Sequence, residues 1–271
     1  MIININYKTS YNFTSEVPRL VQQLKLSPTE CINQKIIKWS IEASEGEIVE
    51  SHKDCLGNQI NNIYLQNLIK KQIITTKGII HTKNTFGVMK GLHETVHPDC
   101  FLRQTILTKP NKKIISLINK KSKAKTNSIE FCHTMNTVVG DSIKYLSGST
   151  NIKTDAQHAI SLGTGVCQDF AHILISLARH NDYPARYVNG FLADDSGHGD
   201  NDTHAWVEIF IKDLGWVGFD PSHKCSIDDK YVRMGCGFDF ADASMIKGVK
   251  SNFKGEETLD KEINIQLQGS Q

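Results

Sequence analysis

At 271 residues, with 39% hydrophobic and 22% charged side chains, the chain has the length and composition of one large or two ordinary globular domains. A net charge of +2 argues against nucleic acid as a partner, and no uncharged apolar run approaches the ~20 residues that a bilayer-spanning helix needs. Seven cysteines (Cys31, Cys55, Cys100, Cys132, Cys167, Cys225, Cys236) are odd in number and never spaced C-x-x-C, which excludes a disulfide framework and a zinc knuckle. They fit a reducing compartment, and the opening MIININYKTSYNFT lacks the basic-then-apolar layout of a signal peptide, so a cytoplasmic location is expected.

Residues 1–105 read as an N-terminal β-rich domain of sandwich type. Ile3 to Tyr7 alternates, Ile36 to Ile41 is a β-favouring run, and the turn Asp54-Cys55-Leu56-Gly57-Asn58 precedes Ile60 to Leu65. Near its end, 93-HETVH-97 fits the H-E-x-x-H pattern of zinc hydrolases, but Pro98 disfavours a helical His97, and a surface turn is expected instead of a metal site. Residues 106–271 read as a second domain. It opens with a lysine cluster (Lys109, Lys112, Lys113, Lys120, Lys121, Lys123, Lys125) that lacks interleaved aromatics to stack on bases and reads as a solvated helix face or linker.

From 111 to 165 the pattern is helical: Ile114 to Ile118, then Val138 to Tyr145, then a segment capped by Thr154-Asp155. A further helix begins at about Cys167, after Gly163 and Gly165, carries Phe170, Ala171, Leu174, Ile175 and Ala178 on one face, and is stopped by Asn181 and Pro184. The period then returns to two. Arg186 to Leu192 is a strand, 193-ADDSGHGDND-202 a polar loop read as a rim or lid, and His204 to Ile211 with Trp216 to Asp220 a hairpin. Ile263, Ile265 and Leu267 suggest a last strand.

Cys167 falls in the first turn of its helix, where free N–H groups and the helix dipole favour a thiolate. A nucleophilic thiol needs a base, and the base needs an orienting group. His204 opens a strand whose alternation sends Ala205, Val207, Ile209 and Ile211 one way and His204, Trp206 and Glu208 the other. Asp220 closes the next strand, before Pro221. For both to face one cleft, Asp220 must oppose an even-numbered residue of 204–211. Pairing with Trp206 does this and implies a three-residue connection, Lys212-Asp213-Leu214, with Gly215 left-handed. The backbone N–H of Cys167 is one oxyanion donor. Gln157 and Gln168 are candidates for the second, with slight preference for Gln157, while Trp206 and Tyr231 are candidate cleft walls and His172 is read as structural.

The strings GVCQDFAH, HAWVEIFI and WVGFDP resemble the transglutaminase-like superfamily, and 231-YVRMGCGFDFADASMIKG-248 resembles the segment that follows the aspartate in its bacterial branch. The start of the chain resembles that branch's β-sandwich lead domain through Tyr7, Tyr11, Phe13, Arg19-Leu20 before Pro28, and Asp54 with Gly57-Asn58. The resemblance implies an α+β fold: a papain-like core in which a helix bearing the cysteine packs on an antiparallel sheet, preceded by the sandwich. By position it makes Cys167 the nucleophile, His204 the base and Asp220 its partner.

The expected activity is acyl transfer through a thioester, with hydrolysis of a peptide or isopeptide amide bond first and glutamine–amine cross-linking second. The expected partner is a peptide or protein substrate, or a small amide or amine; no cofactor or metal is called for, and neither nucleic acid nor membrane is expected. A zinc hydrolase using HETVH and a non-enzymatic binding module are the remaining alternatives.

Overall fold

A computed structural model describes residues 1–118, 128–193 and 203–268. The first six strands are β1 (Ile2–Val17), β2 (Arg19–Leu24), β3 (Gln34–Ala43), β4 (Glu47–Lys53), β5 (Gln59–Leu65) and β6 (Ile69–Thr82). Alternation along β1 and β2 turns Ile3, Ile5, Tyr7, Leu20 and Leu24 into one apolar core. Two four-stranded sheets enclose that core, and each takes its outer strand from the far end of the chain: β14 (Ile246–Ser251) and β15 (Glu257–Gln268) give the orders β15-β1-β6-β3 and β14-β2-β5-β4.

This return corrects the expected division at 105. Residues 246–268 belong to the sandwich, not to the second domain: β15 runs antiparallel to β1 from Ile2 opposite Gln268 to Phe13 opposite Glu257, and β14 pairs with β2. Without them both β1 and β2 would be open edges with unpaired backbone groups. The strand expected at Ile263 to Leu267 is therefore present, in the other half of the molecule.

The second body contains α1 (Lys112–Ile115), α2 (Ile129–Ser142), β7 (Lys144–Tyr145), α3 (Ala156–Leu162), β8 (Thr164–Gly165) and α4 (Cys167–His180). Next come β9 (Ala185–Leu192), β10 (His204–Ile211), β11 (Gly215–Asp220), β12 (Cys225–Ser226), β13 (Tyr231–Gly237) and α5 (Phe240–Ala243). Strands β9 to β13 form an antiparallel sheet in the order β12-β11-β10-β9-β13. Leu174, Ala178 and Phe170 of α4 pack with Val207, Ile209 and Phe219 of the sheet in the main core. Asp155 caps α3 by accepting from His158 N–H at 2.7 Å. Tyr145, expected on a helix, lies in β7, because the chain is already extended at Ile143 where α2 ends. Lys120, Lys121, Lys123 and Lys125 of the basic cluster, and the acidic residues Asp194, Asp195, Asp200 and Asp202, lie outside the described residues. No described helix is long and apolar enough to cross a membrane.

The second face of this sheet is covered too. Trp206 packs there with Phe101, Trp216 and Tyr231. Beside them Glu208 is fully buried between two arginines, one from β9 and one from β13: Arg186 Nε donates to it at 2.6 Å and Arg233 Nε at 2.8 Å. Arg186 also pairs with Glu94, which accepts from Trp216 Nε1 at 2.6 Å. Burial opposes ionisation of Glu208, but the two guanidiniums outweigh it and hold the carboxyl well below its usual range. The sandwich is tied to this layer through the turn at Asp54. Asp54 Oδ1 accepts from Leu56 and Asn58 N–H, and the Asn58 side chain exchanges hydrogen bonds of 2.9 and 2.8 Å with the backbone of Cys236 on β13.

Removing one partner of a buried charge cluster leaves the others uncompensated. Glu208→Ala is expected to destabilise the protein by about 3–5 kcal/mol, whereas Lys8→Ala, which breaks the exposed Lys8–Glu262 pair, stays within about 0.5 kcal/mol. Urea midpoints of the two variants measure this, and equal midpoints would show that the buried cluster contributes nothing.

Candidate active site

Cys167 is the first residue of α4, with Val166 at the cap. Valine has no side-chain acceptor, so the turn is closed from inside: Asp169 Oδ2 accepts from Val166 N–H at 2.8 Å and from Thr150 Oγ at 2.6 Å. Gly165 makes room for this carboxylate, since a Cβ there would lie 2.7 Å from Asp169 Cβ. Asp169 is fully buried, which pushes its carboxyl up in pKa. It escaped the sequence reading because a carboxylate two residues after a cysteine looks like any first-turn acid.

The hairpin has the expected register. Ile211 lies opposite Gly215 and Val207 opposite Phe219, a register that puts Trp206 in phase with Asp220 one step beyond the last paired residues. The connection is Lys212-Asp213-Leu214, and Gly215 is left-handed at φ +86°. His204 and Asp220 consequently share a face and touch, with Nε2 of the ring 2.6 Å from Asp220 Oδ2. The ring also interacts with Cys167, which raises the pKa of the ring and lines the same cleft. With Nε2 engaged by Asp220, Nδ1 is the nitrogen left for sulfur. The structure thus brings the three sequence-predicted residues together.

Asp220 has no exposed surface. Besides His204, its Oδ2 accepts from Tyr231 OH at 2.9 Å and faces His223 Nδ1 at 2.8 Å; its Oδ1 accepts from Ser222 N–H at 2.9 Å, Ser222 Oγ at 2.6 Å and His223 N–H at 3.2 Å. Burial disfavours the carboxylate, but the hydrogen bonds from His204 and His223 outweigh it and hold the group ionised far below its usual range. For His204 burial likewise opposes the charge, yet Asp220 first and the Cys167 thiol second raise the imidazolium to about 10. Tyr231 is raised by burial and the adjacent carboxylate, so it stays a neutral donor.

The remaining candidates separate. Gln168 lines the cleft with Cys167 and His204, whereas Gln157 does not, because it sits on α3, behind the turn that precedes Cys167; the preference for Gln157 is corrected. Trp206 is fully buried behind His204, stacked at 26° with centroids 6.3 Å apart; it backs the ring instead of walling the cleft. Tyr231 contacts Asp220 from below and is likewise not a wall. His172 is buried, its Nε2 accepts from Phe240 N–H at 3.1 Å, and burial lowers its pKa to about 4, in keeping with a structural residue. His223 was missed, although its place in 220-DPSHK-224, one turn beyond the carboxylate, is a usable signal.

The HETVH segment forms no helix. His93 and His97 are exposed, His97 caps a 3-10 turn (Pro98–Leu102), and Glu94 belongs to the Arg186 cluster, so the zinc-hydrolase reading is overturned. Among the described residues, the grouping compact enough for an ion is His204, Asp220 and His223, with ligand atoms within 4.8 Å of one another. Those atoms already bond to each other through protons, and a metal would have to displace the proton that the charged His204 presents to Asp220.

A cysteine on a helix N-terminus set against a histidine and an aspartate from an antiparallel hairpin, with a β-sandwich in front, defines an α+β protein of transglutaminase-like fold. Residues 115–221 match the Transglutaminase-like superfamily and residues 3–81 the Bacterial transglutaminase-like N-terminal region. The chain belongs to the transglutaminase-like superfamily.

It is similar to an uncharacterized protein of Mycobacterium tuberculosis, 32% identical over 131 residues, which is 45% of this chain and 42% of that one, so the match spans less than half of that relative's length. An uncharacterized protein of Mycobacterium leprae is 22% identical over 97% of this chain and 98% of its own. The solved structure of a "Putative Cysteine Protease" from Cytophaga hutchinsonii superposes with a TM-score of 0.79 at 20% identity, covering 100% of this chain and 92% of that one. It shares the whole fold, sandwich included.

Because the folded pKa of His204 lies above the free value of 6.5, the imidazolium is favoured through neutral pH and is lost as pH rises through about 10. A histidine-selective NMR titration should find no midpoint for His204 between about pH 6 and about pH 9 in the parent, and in Asp220→Asn a midpoint lower by roughly 1–3 pH units. A parent midpoint near the free value would refute this charge state.

Proposed function

We propose that the chain is a thiol-dependent acyl-transfer enzyme in which Cys167 attacks an amide carbonyl and water resolves the resulting thioester, so that peptide or isopeptide bonds are hydrolysed. The observation that carries the reading is one imidazole held between Cys167 and a buried, multiply bonded Asp220 at the mouth of a cleft of about 780 Å³. A charged ring beside the sulfur holds the proton that the leaving amine will need.

The steps follow from these positions. The thiolate forms the S–C bond, and the carbonyl electrons move to oxygen. The first-turn N–H of Cys167 has no preceding carbonyl in the helix to bond and donates to that oxyanion, with the Gln168 amide at the cleft wall as the second donor. As the C–N bond breaks, His204 gives its Nδ1 proton to the leaving amine, and Asp220 keeps the ring oriented throughout. Water then attacks the thioester, its proton passes to His204, and the acid leaves with Cys167 restored. The same sequence with an amine in place of water would join two chains, which is the reaction the superfamily's name suggests. Among the described residues that line the cleft the one carboxylate, Glu257, is paired with Lys250, so none is left to hold an incoming ammonium, and we assign the resolver as water. Seven free cysteines, two of them exposed, suit this chemistry to a reducing, cytoplasmic setting.

Cys167→Ala should lower turnover of a peptide-amide library by at least ~10³-fold, and Asp220→Ala by roughly 10³–10⁴-fold with folding retained. Iodoacetamide should modify Cys167 before the exposed Cys55 and Cys100. Mass spectrometry in ¹⁸O water with a labelled amine present separates the two resolvers. Label in the acid product supports hydrolysis, and predominant amine incorporation would replace it with cross-linking. Unselective alkylation of the cysteines would remove the nucleophile assignment altogether.

A further inference from the structure

The cleft does not end at Cys167. From the thiol it continues past Tyr187 and Met245 into the mouth of the N-terminal sandwich, between β1 and β15 on one side and β2 and β14 on the other. Its wall there includes Thr9 of β1 and Gln22 of β2, flanked by Tyr7 and Tyr11. Thr9 and Gln22 are only 1% and 2% exposed, and neither Thr9 Oγ1 nor Gln22 Oε1 has a hydrogen-bond partner among the described residues.

A valine and a leucine would serve a sandwich core better at these two positions, because an unmatched buried polar atom is destabilising. The two residues come from different sheets and line one cleft together with the reactive thiol. That coincidence is what a ligand-binding wall requires and a packing core does not.

The charge distribution narrows the ligand. At this end of the cleft the fixed charges are Lys250, Glu257 and Lys261 on β14 and β15; Lys250 and Glu257 pair with each other, and both lysines belong to strands at the outer edge. Lys261 stands directly opposite Thr9 across the β1–β15 ladder, and no carboxylate lines the cleft on β1 or β2. An ammonium placed there would face the like charge of Lys261, and a carboxylate would meet the Gln22 Oε1 acceptor with no proton to give it. Gln22 Oε1 offers an acceptor, and Thr9 Oγ1 offers both donor and acceptor.

We propose that Thr9 and Gln22 form a specificity subsite, contributed by the N-terminal sandwich, that receives a neutral substrate side chain bearing an N–H or O–H donor, a carboxamide or a hydroxyl. The inference rests on the acyl-transfer reading, since it is the bond anchored at Cys167 that brings this side chain to the sandwich. It gives the lead domain a part in substrate choice, apart from the reacting groups.

The test uses the full chain and three thiol-directed probes. Iodoacetamide reports Cys167 alone, and two acyl chloromethyl ketones differ only in carrying a carboxamide-tipped side chain or its methyl-tipped isostere. The parent should react with the carboxamide probe roughly ten- to a hundredfold faster in kinact/KI. Thr9→Val and Gln22→Met should bring that ratio close to one, leave iodoacetamide labelling of Cys167 unchanged, and keep or raise the melting temperature. A parent ratio near one, or a preference that survives both substitutions, overturns the subsite while leaving the nucleophile intact. Unfolding of both variants overturns it as well, because the two polar groups would then be serving the sandwich. Failure of iodoacetamide to select Cys167 in the parent falls instead on the acyl-transfer reading.

Discussion

A carboxylate without contact to water must be surrounded by donors, and Asp220 is the point where this requirement organises the molecule. Its two oxygens draw on the hairpin partner through His204, on the turn after Pro221 through Ser222 and His223, and on the far strand β13 through Tyr231. The sheet order places β11 and β13 at a distance, with β10 and β9 between them, so the Tyr231 contact crosses the curved sheet and ties its two sides together. A charge so completely matched stays ionised, and an ionised Asp220 keeps a proton on His204. The state of the histidine is therefore a consequence of the sheet, and Cys167 receives it at the helix terminus without needing a cation of its own.

The same logic explains which parts of the fold were legible in the sequence. Local constraints were readable. A glycine pair before an apolar helix placed Cys167 in the first turn, and the phase requirement between His204 and Asp220 selected a three-residue loop with Gly215 left-handed, as observed. Non-local pairings were not. Glu94, Arg186, Glu208 and Arg233 are scattered through the chain and each looks like a surface charge, although three strands and a loop bury them together. In the H-E-x-x-H segment, read as a surface turn, the part played by the glutamate was not legible for the same reason: it is a partner of Arg186 and Trp216. Gln157 and Gln168 could not be ranked from spacing, because the turn at Gly163 to Val166 decides which amide faces the cleft.

The domain boundary failed in the most instructive way. Alternation at Ile263 to Leu267 identifies a strand but carries no address, and β1, sixteen residues long, supplied one by leaving an edge open. With β14 and β15 in place, the sandwich is closed by the end of the chain. Asn58 clamps the sandwich to β13 from the other side. The sandwich is thus joined to the five-stranded sheet by two separate connections, the chain that runs from α5 into β14 and the side-chain hydrogen bonds of Asn58.

That rigidity bears on how specificity can arise in such a protein. In the proposed acyl transfer, Cys167, His204 and Asp220 would handle the same protons whether the acceptor is water or an amine, so the three groups would have no means of distinguishing one amide from another. Discrimination has to come from surfaces that meet the substrate away from the reacting carbon, and those surfaces act only if they are held in register with the thiol. A sandwich joined to the catalytic sheet at Asn58, and completed by strands that follow α5 directly, satisfies that condition. The long return of the C-terminus is then more than a cover for an edge: it builds part of the cleft wall from the segment that follows β13 and α5, so that one stretch of chain runs from the sheet that holds His204 and Asp220 into the sandwich.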